Sequence, residues 1–282
     1  MKRYKKHIII VGSARSGTSW LSETIAKQHR YRLLFEPDHE FQTPKGSLLC
    51  DKWIQDKNGF SEGYAYLKKV FANRVDSDWI AQNSNRRWKR HLWPFIPKQF
   101  VIKFVRANLL APFMNSEFNI PVLHLIRDPF KVIASQKRVD FPWLYNMAHF
   151  TERPKLVDLV KKEYDFDFNA LPSFSSIQLL ALRWCLENAI PLHHAQLSPS
   201  YKIVRYEELK EDIGLFRSIC DEFGLVPVDN LTDIYGKPSS KTHPNSSIRG
   251  KESAVGLNDL ERQEIAELLH IFKLSHFTED YL

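Results

Sequence analysis

Three short stretches of the chain carry residue types that can handle an anion. In "GSARSGTSWL", Gly12 and Gly17 bracket Arg15 and Ser16, and Thr18 and Ser19 follow directly. The stretch lies behind the apolar run His7–Val11. A strand that ends in a glycine turn and enters a helix aims backbone N–H groups at one point, and the helix N-terminus adds partial positive charge there. A phosphate is the natural occupant. In nucleotide-hydrolysing loops of this spacing, a lysine after the second glycine works with Mg²⁺ on the β and γ phosphates. Here Thr18 stands at that position, and the nearest strong cation is Arg15. Asp128 is the nearest candidate for a metal-holding acid, and its neighbour Arg127 argues against a metal. The loop therefore suits a ligand with one phosphate at its centre, held by an arginine without an obligatory metal.

The second stretch, "LHLIRDPFKVIASQKR", places Ser135 eight residues after Arg127. Between them, Asp128-Pro129 reads as an N-cap followed by proline at the first helical position. Ser135 then falls about two turns into that helix, so both residues can approach an anion near its start. The third stretch, "LLFEPDHEF", offers Glu36 and His39 beyond an apolar run, and "VIKF" ends another run on Lys103.

Five nearly continuous β-rich runs must position these residues: His7–Val11, Tyr31–Phe35, Phe100–Phe104, Pro121–Ile126 and Tyr201–Tyr206. Their lack of alternation predicts strands buried on both faces. The segments between them are long enough for helical crossovers, so the fold class is α/β, a P-loop-like five-stranded parallel sheet flanked by helices. Ser175 or Ser176 opens a long helix that Pro191 kinks or ends. Asn258 and Glu261 form a capping box for the last long helix. Residues 44–99 and 139–174 are expected to be helical insertions over the ligand edge of a single domain spanning 1–282.

Composition is that of a globular chain: 282 residues, 43% hydrophobic and 26% charged. The net charge of +7 favours an anionic partner without choosing one. Cys50, Cys185 and Cys220 are widely spaced and include no C-x-x-C, so they predict buried thiols rather than a zinc site or a disulfide framework. The basic start followed by Ile8–Val11 is too short for a signal peptide, and no apolar run is long enough for a membrane span. The expected setting is cytoplasmic, in a chain of bacterial type.

On these motifs the chain resembles the sulfotransferases that use 3′-phosphoadenosine 5′-phosphosulfate (PAPS). "GSARSGTSWL" is similar to the family's 5′-phosphosulfate loop, in the R-S-G-[ST]-[ST]-x-L form of the carbohydrate branch, and "RDPFKVIAS" resembles its 3′-phosphate motif. "LLFEPDHEF", "VIKFVRANL", "LRWCLENA" and "KIVRYEEL" support the match, which runs from residue 7 to about 209. The resemblance implies transfer of a sulfuryl group from PAPS to a hydroxyl of a carbohydrate or glycoconjugate, with no metal and no nucleic-acid partner. It implies Arg15 at the bridging oxygen and 5′ phosphate. Ser16, Gly17, Thr18 and Ser19 would be donors around it, Arg127 and Ser135 would bind the 3′ phosphate, and Tyr206 would lie near the adenine. Arg249, Gly250 and Lys251 resemble the basic-glycine loop that closes over the 3′ phosphate. A base must take the acceptor's proton. Glu36 is the first choice, with His39 the runner-up and Lys103 holding the sulfuryl group or substrate. Glu36 has another reading, an acid that pairs with Arg15 or Lys103 and only organises the pocket. The stretch Trp79–Pro97 mixes aromatic and basic residues and reads as an amphipathic cover. Two other functions fit parts of the pattern: a P-loop kinase or NTPase, and a non-catalytic basic binder of glycan or nucleic acid.

Overall fold

The computed structural model describes residues 7–55, 57–82, 99–241 and 256–278. All five expected strands form: β1 (Ile8–Val11), β2 (Tyr31–Phe35), β3 (Gln99–Lys103), β4 (Val122–Ile126) and β5 (Tyr201–Arg205). They make one parallel sheet in the order β2-β3-β1-β4-β5. Register puts Phe35 beside Lys103 and Val11 beside His124, so the carboxyl ends of the strands lie along one edge.

The helices are α1 (Thr18–Ala26), α2 (Ser61–Phe71), α3 (Asp78–Ala81), α4 (Ala111–Phe118), α5 (Pro129–Val139), α6 (Ala148–Thr151), α7 (Pro154–Tyr164), α8 (Ser176–His194), α9 (Tyr206–Glu211), α10 (Ile213–Phe223), α11 (Leu231–Gly236) and α12 (Asp259–Ile271). Residues of β1 alternate between two covered faces. Ile8 and Ile10 pack with Leu21 and Ile25 of α1 and Phe216 of α10. Ile9 and Val11 pack with Leu67 and Phe71 of α2 and Met114 of α4. A third cluster joins α5, α7, α8 and α12. Burial on both faces is the physical reason the strand sequences do not alternate.

The predicted caps are present. Asp128 accepts from Lys131 N at 2.9 Å, with Pro129 opening α5. Ser175 and Gln178 form a capping box on α8, as do Asn258 and Glu261 on α12. Pro191 does not end α8, which continues to His194. The proline has no N–H for the Glu187 carbonyl one turn back, and burial of Leu186, Ala189 and Ile190 holds the helix together past it. Tyr206 opens α9 rather than closing β5.

Among the described residues of the two expected insertions, the longest helices, α2 and α7, are part of the core layers. In α2, Tyr66, Leu67, Val70 and Phe71 form a buried stripe against the sheet face, so this helix does not cover the ligand edge. Trp79 of α3 does reach that edge, and most of the aromatic-basic stretch lies outside the described residues. In the second insertion α7 packs with α8 and α12, while Phe141 and Trp143 reach the edge. The three cysteines are buried and free. Among the described residues no helix is long and apolar enough to cross a membrane.

Candidate functional site

The strand ends open into one cavity of about 820 Å³. Arg15, Gly17, Thr18 and Ser19 line it from the turn after β1. Glu36 and His39 follow β2, Lys103 ends β3, Arg127 and Ser135 follow β4, and Tyr206 follows β5. Ser16 lies buried behind them, with a hydroxyl that has no hydrogen-bond partner among the described residues. Arg249, Gly250 and Lys251 lie outside the described residues.

Backbone geometry explains both loop glycines. A Cβ on Gly12, at φ +155°, would sit 2.4 Å from the Leu125 carbonyl oxygen. A Cβ on Gly17, at φ +93°, would sit 2.4 Å from the Tyr206 ring. Arg15 also has positive φ, at 75°, a conformation that costs a non-glycine residue about 1–3 kcal/mol. Neighbours hold it there. Arg127 Nη1 donates to the Arg15 carbonyl at 3.1 Å, and Gln136 Nε2 to the Ala14 carbonyl at 3.0 Å. Gly17→Ala is expected to push the Tyr206 ring out of place and cost on the order of 2 kcal/mol, a fall of several degrees in Tm with weakened anion binding. A thermal melt indistinguishable from that of the unmodified protein would show that the turn has room.

Three guanidinium groups share one corner of the cavity. Burial lowers the Arg15 pKa, and the charges of Arg127 and Arg138 lower it further. Arg15 Nε donates to Ser135 Oγ at 3.1 Å, a hydroxyl that brings no negative charge. Arg127 lies over the Tyr206 ring at 4.7 Å, with Glu207 Oε1 3.8 Å from its Nε. Arg138 Nε has no hydrogen-bond partner among the described residues. Like charges held this close favour an anion between them. Ser135, expected to approach the same anion as Arg127, lines the cavity with it and accepts from Arg15.

Sequence reasoning missed Arg138 and Lys131, which also line the cavity. Their signal was present: Lys131, Ser135 and Arg138 follow i, i+4, i+7 spacing and so share one helix face. Asp128, the candidate metal-holding acid, is engaged as the cap of α5.

At the other end, Glu36 (φ 44°) pairs directly with the buried Lys103 ammonium, which lies 4.7 Å from the centre of the Phe35 ring. His39 Nδ1 accepts from Phe41 N at 3.3 Å, which leaves the ring proton on Nε2. Burial chiefly lowers the His39 pKa, with Glu36 pulling the other way. In this tautomer neither ring nitrogen has a free lone pair for a substrate proton, whereas the Glu36 carboxylate has. Trp79 walls this end, its ring 4.8 Å from that of His39, Phe141 and Trp143 also line the cavity, and Phe41 stands 74% exposed beside His39.

No protein-family model matches the chain, and no curated protein sequence matches it significantly. Among solved structures, the chain is similar to a sulfotransferase domain from the curacin biosynthetic pathway, at 19% identity and TM-score 0.47, covering 94% of this chain and 97% of that one. It is similar to a mouse sulfotransferase complexed with PAP (13% identity, TM-score 0.43, 96% and 85% covered). A third is a sulfotransferase from Mycobacterium avium (13% identity, TM-score 0.47, 99% and 78% covered). The features of this chain itself that bear on function are the strand order, the turn after β1 and the cations at the sheet edge.

Proposed function

We propose that the protein is a PAPS-dependent sulfotransferase acting on a hydroxyl of a carbohydrate or glycoconjugate. The observation that carries this reading is the corner where Arg15, Arg127 and Arg138 converge beside a phosphate-type turn that lacks the NTPase lysine. A bisphosphorylated adenosine has two separated anionic groups, and cations on the β1 and β4 sides of one cavity suit it. The residues present fit. The buried Ser16 hydroxyl lacks a partner among the described residues, and α1 starts directly after the turn, so its first N–H groups are available to an anion there.

In this reading Arg15, with Ser16, Gly17, Thr18 and Ser19, holds the phosphosulfate end, and Arg127, Ser135 and Arg138 hold the 3′ phosphate. Tyr206 stands beside the nucleoside. PAPS supplies an activated sulfuryl group. Glu36 accepts the acceptor hydroxyl's proton as the new S–O bond forms and the bond to the phosphate oxygen breaks. Arg15 neutralises the charge left on that phosphate oxygen, and Lys103 the charge on the sulfuryl oxygens. The flat faces of Trp79, Phe141 and Trp143 suit the apolar face of a sugar ring.

Calorimetric titration of PAP and of ATP, each with EDTA and then with Mg²⁺, tests the donor. PAP is expected to bind without metal. Tight Mg²⁺-dependent ATP binding with no PAP binding would replace this reading by that of a kinase or NTPase. Turnover of labelled PAPS over a panel of glycan and aryl acceptors tests the acceptor class.

A further inference from the structure

Glu36 N donates to the Lys103 carbonyl at 2.8 Å, one residue beyond the end of β2. The chain then turns, with His39 N donating to the Glu36 carbonyl at 3.0 Å and Glu36 in the left-handed region at φ 44°. A non-glycine residue keeps that conformation only where its surroundings over-determine it.

Asp38 lies inside this turn and is fully buried. Its Oδ2 accepts from Val105 N at 2.9 Å and from Arg106 N at 2.6 Å, two consecutive backbone donors just past Lys103. One carboxylate oxygen thus ties the loop that carries Glu36 to the loop that follows Lys103. Arg106 grips the same region with its side chain: Nη1 donates to Glu40 Oε2 at 2.6 Å and Nη2 to Asp51 Oδ2 at 2.8 Å. From α2, Tyr66 OH donates to the Pro37 carbonyl at 2.9 Å, and Cys50 Sγ donates to the Asp38 carbonyl at 3.2 Å.

An acid is costly at this place. Burial pushes the Asp38 carboxyl up to about 6, against the pull of the Arg106 and Val105 amides, and Oδ1 has no hydrogen-bond partner among the described residues. Tethering two loops needs only an accepting oxygen, which a neutral amide side chain also has. A charged acceptor makes shorter and stronger bonds, so what the carboxylate adds is a tighter fix on where the loops sit. Glu36 needs such a fix, because a base must lie within hydrogen-bond reach of the proton it takes.

We propose that Asp38 is a positioning residue: by fastening the Val105 and Arg106 N–H groups to the turn that begins at Glu36, it sets where the Glu36 carboxylate meets the acceptor hydroxyl. This rests on the reading of Glu36 as the base of a PAPS-dependent transfer.

The test is turnover of labelled PAPS with nitrophenyl glycosides and with nitrophenol, alongside PAP titration and a thermal melt. It compares the full chain with Asp38→Ala, Asp38→Asn, Glu36→Gln and the Glu36→Gln/Asp38→Ala double variant. Asp38→Ala is expected to lower kcat about a hundredfold, while PAP binds at full stoichiometry and within about twofold of its affinity for the unmodified protein. Asp38→Asn keeps an oxygen for the two amides and should lose only about three- to tenfold. Because Asp38 acts through Glu36, the double variant should turn over within about threefold of Glu36→Gln. PAP binding lost in step with kcat would make Asp38 a structural residue and overturn the proposal, and multiplied losses in the double variant would overturn the path through Glu36. If Asp38→Ala does not fold, Asp38→Asn decides, and full kcat there overturns the proposal. Unmodified protein that binds no PAP, or transfers a sulfuryl group to neither acceptor, sinks the PAPS reading and this proposal with it; full activity in Glu36→Gln sinks the base and the proposal together. Active protein that needs Glu36, with Asp38→Ala at full kcat, sinks the positioning role alone.

Discussion

Arg15→Ala is expected to weaken PAP binding by a hundredfold or more without lowering the melting temperature of the ligand-free protein. The two halves have one cause. A half-buried arginine contributes charge-assisted hydrogen bonds to an anion, and truncating one partner of a hydrogen-bonded charge pair costs about 2–5 kcal/mol in binding. In the protein alone the same guanidinium is unfavourable. Burial and the charges of Arg127 and Arg138 both oppose its charged form, and its backbone is in the left-handed region. Alanine removes the repulsion at no further backbone cost, so Tm should hold or rise. Arg15→Lys keeps the charge and loses the fork, and should fall between the two. Retained PAP affinity in Arg15→Ala, measured by calorimetry, would remove the central cation from the site.

For Glu36→Gln the expected effect is on turnover, a loss of about 10²- to 10⁴-fold, with PAP affinity within about twofold of the unmodified protein. Glu36 lies at the β2 end of the cavity, away from the arginine corner, so the nucleotide should not register the change. The glutamine amide oxygen can still accept from Lys103, whose ammonium is buried and would otherwise be left unpartnered. The variant therefore separates proton acceptance from pocket organisation. His39→Asn should lower turnover far less, because His39 Nδ1 is already engaged by Phe41 N. Full activity in Glu36→Gln would return this carboxylate to the role of Lys103's counter-ion.

The strands were legible because burial on both faces writes itself into the sequence as nearly unbroken apolar runs, as in Ile8–Val11, and in Val122–Ile126 with His124 the one polar residue. Local helix signals were equally readable where a side chain bonds its own backbone, as at Asp128, Ser175 and Asn258. Site residues at strand ends followed from the sheet, since a parallel sheet brings its carboxyl ends to one edge. What the sequence hid were contacts across long separations. The Arg15–Ser135 bond spans 120 residues and the Arg183–Asp51 bond 132, and no periodicity encodes either. Arg183 and Glu187 did leave a trace, two opposite charges four apart in an otherwise apolar helix. The role of α2 was misjudged for a different reason. Its apolar stripe indicates a buried face but does not say which layer buries it.

The strand order has a consequence for how the chain is made. Of the five strands, β1 is synthesised before the other four, yet it sits at the centre of the sheet, and its neighbours begin at Gln99 and Val122. At about 5–20 residues per second, Ile8–Val11 must wait several seconds or longer on the ribosome before either flank can be hydrogen-bonded. Pairing so distant in sequence is slow even after release. The nascent chain is thus most prone to aggregate before its middle third is complete, and expression at low temperature or with a chaperone that shields apolar segments should raise the yield of folded protein.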